Sequence, residues 1–198
     1  MRKLIVSVNI TLDGFAADID GGLDWHLQSW SNEQAYKVAE ILSQADTLLL
    51  GRKTYQAMAA YWPFQAKNIN FPREDIAYAE MMNNYRKVVL SKTMRHVTWH
   101  NSVLINTDVK QAISDLKKQP GSDILTYGSI STVKKMAAFG LVDEYQLWVH
   151  PVMLGKGVPF INQPVNELKS ISVNRFGSGV SLMICRDITS LRSFATSA

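Results

Sequence analysis

Short apolar runs alternate along the chain with segments that carry helix signals, and this alternation constrains the fold most strongly. The runs cover residues 4–10, 47–50, 88–90, 103–105, 124–127 and 144–149. Strands that alternate with helices predict an α/β fold with three layers, αβα, around a mostly parallel central sheet. Two further runs, residues 171–176 and 180–188, flank the Gly177-Ser178-Gly179 turn and predict an antiparallel C-terminal hairpin.

The length of 198 residues fits one domain, which we place at residues 1–190, followed by a flexible tail at residues 191–198. Ser31 with Gln34 three positions later is a capping box, and it predicts a helix over residues 32–43. Asp108 is expected to cap a later helix that runs to about Gln119. Residues 63–72 are expected to be irregular, and residues 18–24 are expected to form a mobile loop.

Charge and cysteine content narrow the class of protein. Cys185 is the single cysteine, so no internal disulfide can form, and a reducing, cytoplasmic compartment is expected. No apolar run approaches the ~20 residues of a membrane span, which predicts a soluble protein with no membrane partner. The net charge is +4, but the basic residues are scattered, so no nucleic-acid partner is expected.

Several common site motifs are missing. The chain has no G-x-G-x-x-G fingerprint and no P-loop. Its four histidines lack zinc-ligand spacing, so no metal site is predicted, and each histidine is interpreted as a surface or packing residue. Ser131 and Lys134 match the S-x-x-K motif of acylating serine enzymes, but the companion motifs are absent. We interpret this pair as residues of a first helical turn, with a serine acyltransferase as the alternative.

Three predicted strands end in residues that suit an anion. They are Gly51, Arg52, Lys53 and Thr54 after the second strand, Ser91 and Lys92 after the third, and Gly128 and Ser129 after the fifth. Free backbone N–H groups and the helix dipole favour an anion where a helix begins after a strand. Because parallel strands deliver their carboxyl ends to one edge of the sheet, the three segments together predict a phosphate-binding edge.

The chain resembles a known superfamily of proteins. Residues 48–55, Leu-Leu-Leu-Gly-Arg-Lys-Thr-Tyr, resemble the G-R-x-T-[WY] signature of dihydrofolate-reductase-like proteins. The closer similarity is to the reductase domain of the bifunctional riboflavin-biosynthesis deaminase/reductase and its stand-alone relatives. Residues 11–14, 140–144 and 150–157 resemble three segments of that branch. The resemblance covers roughly residues 2–188 and implies a dihydrofolate-reductase-like fold.

The resemblance also implies NADPH as cofactor. The implied binding residues are Gly51, Arg52, Lys53, Thr54, Ser91, Lys92, Gly128 and Ser129. Arg52 would approach the 2′-phosphate, with Ser91 and Lys92 beside it. The remaining residues would meet the pyrophosphate or let the backbone approach the cofactor, and the loop of residues 13–25 would cover the nicotinamide and the substrate.

The implied reaction is hydride transfer to a C=O or C=N group of a small pyrimidine-, pterin- or sugar-derived substrate. One candidate activity is that of a riboflavin-pathway-like 5-amino-6-(ribosylamino)uracil reductase. Asp13, Asp24 and Glu33 are the candidate catalytic proton donors, with water as the alternative. Trp25 and Trp30 are the candidate residues of the substrate pocket, although core packing is expected for at least one of them.

Two positions depart from the dihydrofolate reductase pattern. Trp30 stands where a carboxylate is expected, and Tyr85 stands where the folate-binding arginine is expected. Dihydrofolate should therefore be a poor substrate. A non-catalytic NADP(H)-binding module and a true dihydrofolate reductase with an atypical proton donor remain as alternatives. Relatives in the riboflavin branch form dimers, so a homodimer is expected, with the C-terminal edge hairpin as its contact.

Overall fold

The computed structural model describes residues 1–65, 71–72, 75–161 and 168–187. Its strands are β1 (Leu4–Thr11), β2 (Phe15–Ala17), β3 (Ala45–Gly51), β4 (Arg86–Leu90), β5 (Ser102–Ile105), β6 (Asp123–Gly128), β7 (Glu144–His150), β8 (Val158–Pro159), β9 (Leu168–Arg175) and β10 (Ser181–Asp187). Its helices are α1 (Asn32–Ser43), α2 (Arg52–Gln65), α3 (Ile76–Asn84), α4 (Val109–Lys118) and α5 (Ile130–Ala138), with a 3-10 helix at Asp24–Ser29.

Among the described residues, eight strands form one sheet in the order β5-β4-β3-β6-β1-β7-β10-β9. Neighbouring strands from β5 to β7 are parallel, whereas β10 and β9 run antiparallel to their neighbours. This order confirms the mostly parallel sheet and the C-terminal hairpin. It also brings the carboxyl ends of β4, β3, β6 and β1 to one edge. Strands β2 and β8 form a separate small antiparallel sheet.

Helices cover both faces of the large sheet, which confirms the three layers. Ile113 of α4 and Met136 of α5 pack with Val6 in the core on one face. Helices α1, α2 and α3 contribute to the core on the opposite face. Side chains alternate between the faces of a strand, so Ser7 and Asn9 of β1 lie on this second face. Ser7 and Asn9 are not part of the hydrophobic core on this face.

The capping predictions had different outcomes at two helices. Ser31 caps α1 as predicted, because its Oγ accepts the N–H of Gln34 at 3.4 Å. Asp108 is the N-cap residue of α4, as predicted, but its side chain makes no capping hydrogen bond. Asp108 instead adopts a left-handed backbone with φ of 44°, and α4 begins at the next residue.

The prediction that residues 63–72 are irregular is wrong for residues 63–65. Helix α2 continues through Pro63 and ends at Gln65. Proline cannot donate a backbone hydrogen bond, but Asn83 Nδ2 donates to the Trp62 carbonyl at 3.0 Å, and this tertiary contact supports the last turn of the helix. A sequence pattern has no signal for a contact of this kind.

The segment predicted as a loop lies between β2 and the 3-10 helix. The Asp18 carboxylate accepts the N–H groups of Asp20 at 2.9 Å and Gly22 at 2.7 Å, so a local turn organises it. The tail predicted at residues 191–198 lies outside the described residues. None of the helices that the structure describes combines the length and apolar character needed to cross a membrane.

Candidate functional site

The three strand ends singled out from the sequence are neighbours in the sheet. Gly51 of β3 is paired with Leu90 of β4, so Arg52 and Ser91 follow adjacent positions. Leu50 of β3 is paired with Gly128 of β6 on the other side. The expectation that parallel strands deliver these segments to one edge is confirmed.

A cleft of about 920 Å³ opens at this edge. We name two parts of it by their lining. The cationic part is lined by Arg52, Lys53, Thr54, Ser91, Lys92, Thr93, Ser129, Ser131 and Thr132. The aromatic part is lined by Ser7, Asn9, His26, Trp30, Tyr61, Trp62, Tyr78, Tyr127 and Trp148. This volume lies at the upper end of the roughly 300–1,000 Å³ typical of ligand pockets.

Two glycines shape the cationic part without lining it. A β carbon on Gly51 would lie 2.9 Å from the backbone nitrogen of Ser129, so any other residue would push β3 away from the start of α5. Gly128 has φ of +123°, a backbone conformation that side-chain-bearing residues rarely adopt. These glycines allow the N-terminus of α5 to approach the end of β3.

Hydroxyl groups and helix starts complete the cationic part. Ser129 Oγ lies 3.0 Å from Ser131 Oγ and 3.3 Å from Thr132 Oγ1. Ser131 lies in the first turn of α5, which agrees with the structural interpretation of the S-x-x-K match. The first backbone N–H groups of a helix have no intrahelical acceptor, and α2 and α5 both begin at residues that line the cleft, Arg52 and Ile130.

The charge of the cleft suits phosphate. Arg52, Lys53 and Lys92 line it, whereas no aspartate or glutamate does so among the described residues. Cations, hydroxyl donors and helix N-termini together form the donor set that binds phosphate groups. The residues present therefore fit the phosphates of a dinucleotide cofactor.

The three carboxylates predicted as proton donors do not line this cleft. Asp13 Oδ1 accepts the Thr11 hydroxyl at 2.5 Å, and its Oδ2 accepts the Gly155 N–H at 2.7 Å. These hydrogen bonds, with that from Thr11 the largest, lower the pKa of Asp13 and keep it ionised. Glu33 accepts the N–H of Gly177 at 3.2 Å. Asp24 is exposed at the start of the 3-10 helix.

The two predicted pocket tryptophans separate in the structure. Trp30 lines the aromatic part and is 44% exposed. Trp25 is only 7% exposed and does not line the cleft. It packs edge-on against His150, with ring centroids 5.3 Å apart. Tyr85 packs against the core at the end of α3 rather than in the cleft.

A buried histidine network beneath the aromatic part was missed by the sequence interpretation. His150 is fully buried, and its Nδ1 lies 2.7 Å from Ser29 Oγ while its Nε2 lies 2.9 Å from Asn9 Oδ1. Burial lowers the pKa of His150 to about 4, with a smaller contribution from His26, so the ring is neutral. An amide oxygen only accepts, so Nε2 donates to Asn9 and Ser29 donates to Nδ1.

This network fixes the orientation of the Asn9 amide. The Asn9 oxygen is held by His150, and its amide nitrogen has no hydrogen-bond partner among the described residues. Asn9 lines the cleft, so its N–H groups can donate to a bound molecule. The signal in the sequence was the pair Ser7 and Asn9, two polar residues on one face of an otherwise apolar buried strand.

Two tyrosines provide further neutral donors in the cleft. The hydroxyls of Tyr78 and Tyr127 lie 3.1 Å apart. Burial raises the pKa of Tyr78 to about 12, and it raises that of Tyr127 well above 10. Both phenols therefore stay protonated at neutral pH.

Among the described residues, no group of three or more metal-ligating side chains is placed to hold a metal ion.

Comparison with known sequences identifies the family. The model of the RibD C-terminal domain matches residues 2–182, and the chain belongs to this family. One relative is the uncharacterized protein YyaP of Bacillus subtilis (strain 168). It is 33% identical over 182 residues, which cover 90% of this chain and 92% of the relative.

Solved structures share the fold. A putative riboflavin biosynthesis protein from Shewanella sp. PV-4 has a TM-score of 0.71 at 21% identity, with 93% of this chain and 98% of that chain covered. A Thermotoga maritima deaminase/reductase has a TM-score of 0.65 at 16% identity, with 94% and 56% covered. Dihydrofolate reductase from Enterococcus faecalis, complexed with NADP(H), has a TM-score of 0.62 at 11% identity, with 93% and 96% covered. The predicted dihydrofolate-reductase-like fold is confirmed.

Proposed function

We propose that the protein is an NADPH-dependent reductase that transfers a hydride to a C=O or C=N carbon of a small planar substrate. One observation carries the proposal: a single cleft joins a cationic part, built on strand ends, to an aromatic part beside β1. The first suits phosphates and the second suits planar rings. Membership of the RibD C-terminal domain family supports the same chemistry.

The cationic part would bind the cofactor, which supplies the hydride when bound. Arg52 can bind the 2′-phosphate through two parallel hydrogen bonds, and Lys92 adds a point charge nearby. The first N–H groups of α2 and α5 would bind the pyrophosphate, assisted by the hydroxyls of Ser129 and Thr132.

The aromatic part would bind and orient the substrate. Trp30 offers a partly exposed ring face for stacking, and Asn9 offers amide N–H groups to a carbonyl oxygen. The Thermotoga maritima relative carries the name 5-amino-6-(5-phosphoribosylamino)uracil reductase. We take the form of this compound without its phosphate, 5-amino-6-(ribosylamino)uracil, as the first substrate to test.

A non-catalytic NADP(H)-binding module is the second candidate. The observation that favours it is the lack of any aspartate or glutamate among the described lining residues. Such a module would bind the cofactor through the same cationic part but would not oxidise it.

The test combines binding and turnover. NADPH affinity is measured by fluorescence, and NADPH oxidation is followed by absorbance with 5-amino-6-(ribosylamino)uracil, dihydrofolate and a panel of dihydropteridines. Oxidation in step with loss of one compound supports the reductase. Tight binding without oxidation by any of them supports the binding module. If NADPH does not bind, both candidates are overturned.

A further inference from the structure

His26 projects from the 3-10 helix into the aromatic part of the cleft. Its ring packs edge-on against Trp25 and Trp30, with centroids 6.0 Å and 6.3 Å away. The 3-10 helix and its C-terminal cap supply both tryptophans, so they hold the imidazole locally. The side chain is half-buried, which leaves part of the ring open to the cleft.

The hydrogen bond of His26 fixes which nitrogen exchanges a proton. Nδ1 lies within hydrogen-bond distance of the Leu23 carbonyl oxygen. A carbonyl only accepts, so Nδ1 carries a hydrogen in both the neutral and the charged ring. Nε2 is therefore the nitrogen that gains and loses a proton. None of the described residues makes a hydrogen bond with Nε2, so it is available to a ligand.

Neighbouring ionisable groups do not compete for this role. Burial raises the pKa of Tyr78 to about 12 and raises the pKa of Tyr127 well above its ordinary value of 10. His150 is fully buried, and both its ring nitrogens are occupied by Asn9 and Ser29. The carboxylate of Asp13 is held by hydrogen bonds outside the cleft.

The electrostatic surroundings of His26 are simple. His150 on β7 faces it, with ring centroids 5.9 Å apart and planes at 85°. Asp24 is the carboxylate on its own helix. Within the part of the chain that the structure describes, no ion pair joins His26 to an acidic side chain. A charged His26 therefore meets a neutral imidazole and aromatic rings.

We propose that His26 Nε2 donates the proton that completes the reduction, an inference that rests on the proposed reductase function. The substrate carbon gains a hydride, with both its electrons, from NADPH, which becomes NADP⁺. The π electrons of the C=O or C=N bond move to the heteroatom, which bonds the proton from Nε2. The N–H electron pair stays on the imidazole, and water returns a proton to it before the next turnover.

The test uses His26→Gln, which keeps a polar side chain but cannot exchange this proton. The matched control is His96→Gln, at an exposed position outside the cleft. NADPH affinity, the pH dependence of NADPH oxidation with 5-amino-6-(ribosylamino)uracil, and imidazole nitrogen shifts by NMR are measured for wild type and both variants.

We expect His26→Gln to bind NADPH within about twofold of wild type. Turnover should fall by roughly 10²–10⁴-fold, the range of a general acid, and its pH dependence should differ from that of wild type. His96→Gln should match wild type in every measurement. NMR should show the Nδ1–H tautomer of neutral His26, with the Nε2 signal changing when NADPH and substrate bind.

A wild-type rate and pH profile in His26→Gln overturns the assignment and leaves the reductase function standing. Failure of wild type to bind NADPH overturns the proposed function instead. If wild type binds NADPH but does not reduce this compound, the tautomer of His26 seen by NMR tests the assignment of the exchanging nitrogen. A neutral Nδ1–H form supports the assignment of the exchanging nitrogen, and a neutral Nε2–H form overturns it.

Discussion

The cationic part of the cleft comes from residues that directly follow three parallel strands, whereas the aromatic part is assembled from segments far apart in the chain. Arg52 follows β3, Ser91 follows β4 and Ser129 follows β6. In the aromatic part, His150 is 121 residues from Ser29 and 141 residues from Asn9. The cationic part is thus a product of local strand-to-helix turns, and the aromatic part is a product of long-range packing.

This difference has an energetic consequence. Arg52 and Lys92 are exposed, so replacing them should change ligand affinity while leaving the fold intact. His150 and Asn9 lie within the sheet and its hydrogen-bond network, so replacing them should change stability together with any chemistry.

Acid should destabilise the protein through His150. Its pKa is about 4 in the folded protein, against 6.5 in an unfolded chain. Between these values the unfolded state binds a proton that the folded state does not. Stability present above about pH 6.5 is therefore lost as pH falls toward 4, by about 3 kcal/mol at most.

Urea unfolding between these pH values measures this loss. His150→Gln should flatten the pH dependence of the free energy of unfolding, whereas His96→Gln should retain it. An unchanged slope in His150→Gln would assign the acid sensitivity to other groups and would weaken the contrast between the two parts.

Dihydrofolate should be reduced poorly, because the aromatic part lacks the groups that bind its ring. By the resemblance, Trp30 and Tyr85 stand where dihydrofolate reductases are expected to have a carboxylate and an arginine, and no acidic residue lines the cleft among the described residues. We expect turnover at least ~100-fold below the ~10 per second that is typical of enzymes. NADPH oxidation with dihydrofolate measures it, and a rate near the typical value contradicts the prediction.

Arg52→Ala should weaken NADPH binding by roughly ten- to a hundredfold, because a charged hydrogen bond contributes about 1.5–3 kcal/mol. NADH, which lacks the 2′-phosphate, should bind almost as before, and the free energy of unfolding should hold within about 0.5 kcal/mol. Fluorescence titration with both cofactors measures the difference.

The control is Arg95→Ala, at an exposed arginine that does not line the cleft. An equal loss of affinity for both cofactors would indicate that Arg52 binds the pyrophosphate instead. No loss for either cofactor would remove it from the site.

The smallest effect on the cleft should come from disrupting a homodimer. Strand β9 is the edge of the sheet, and its Ile171 and Val173 are nearly half exposed. We propose that a second copy covers this edge. Light scattering should then give about twice the chain mass of 22.2 kDa.

Val173→Lys should shift the mass to that of one chain, since it places a charge on the proposed contact. NADPH affinity should stay within about twofold, because β9 is remote from the cationic part in strand order. A wild-type mass of one chain at micromolar concentration contradicts the dimer.

The sequence alone determined the layers of the fold and the cationic part. Apolar runs, capping residues and glycines act over a few neighbouring residues, so β3, α1 and the turn at Gly51 were predictable from local pattern. Parallel strand order then follows from alternation with helices, which is why Arg52, Ser91 and Ser129 were expected at one edge.

Only the tertiary structure decided the content of the aromatic part. Asp13 and Glu33 looked suited to chemistry, yet distant backbone N–H groups hold their carboxylates away from the cleft. His26 looked like a surface or packing residue, yet the 3-10 helix places it on the cleft beside His150. Local rules govern backbone shape, whereas the direction and neighbours of a side chain depend on packing between segments more than a hundred residues apart.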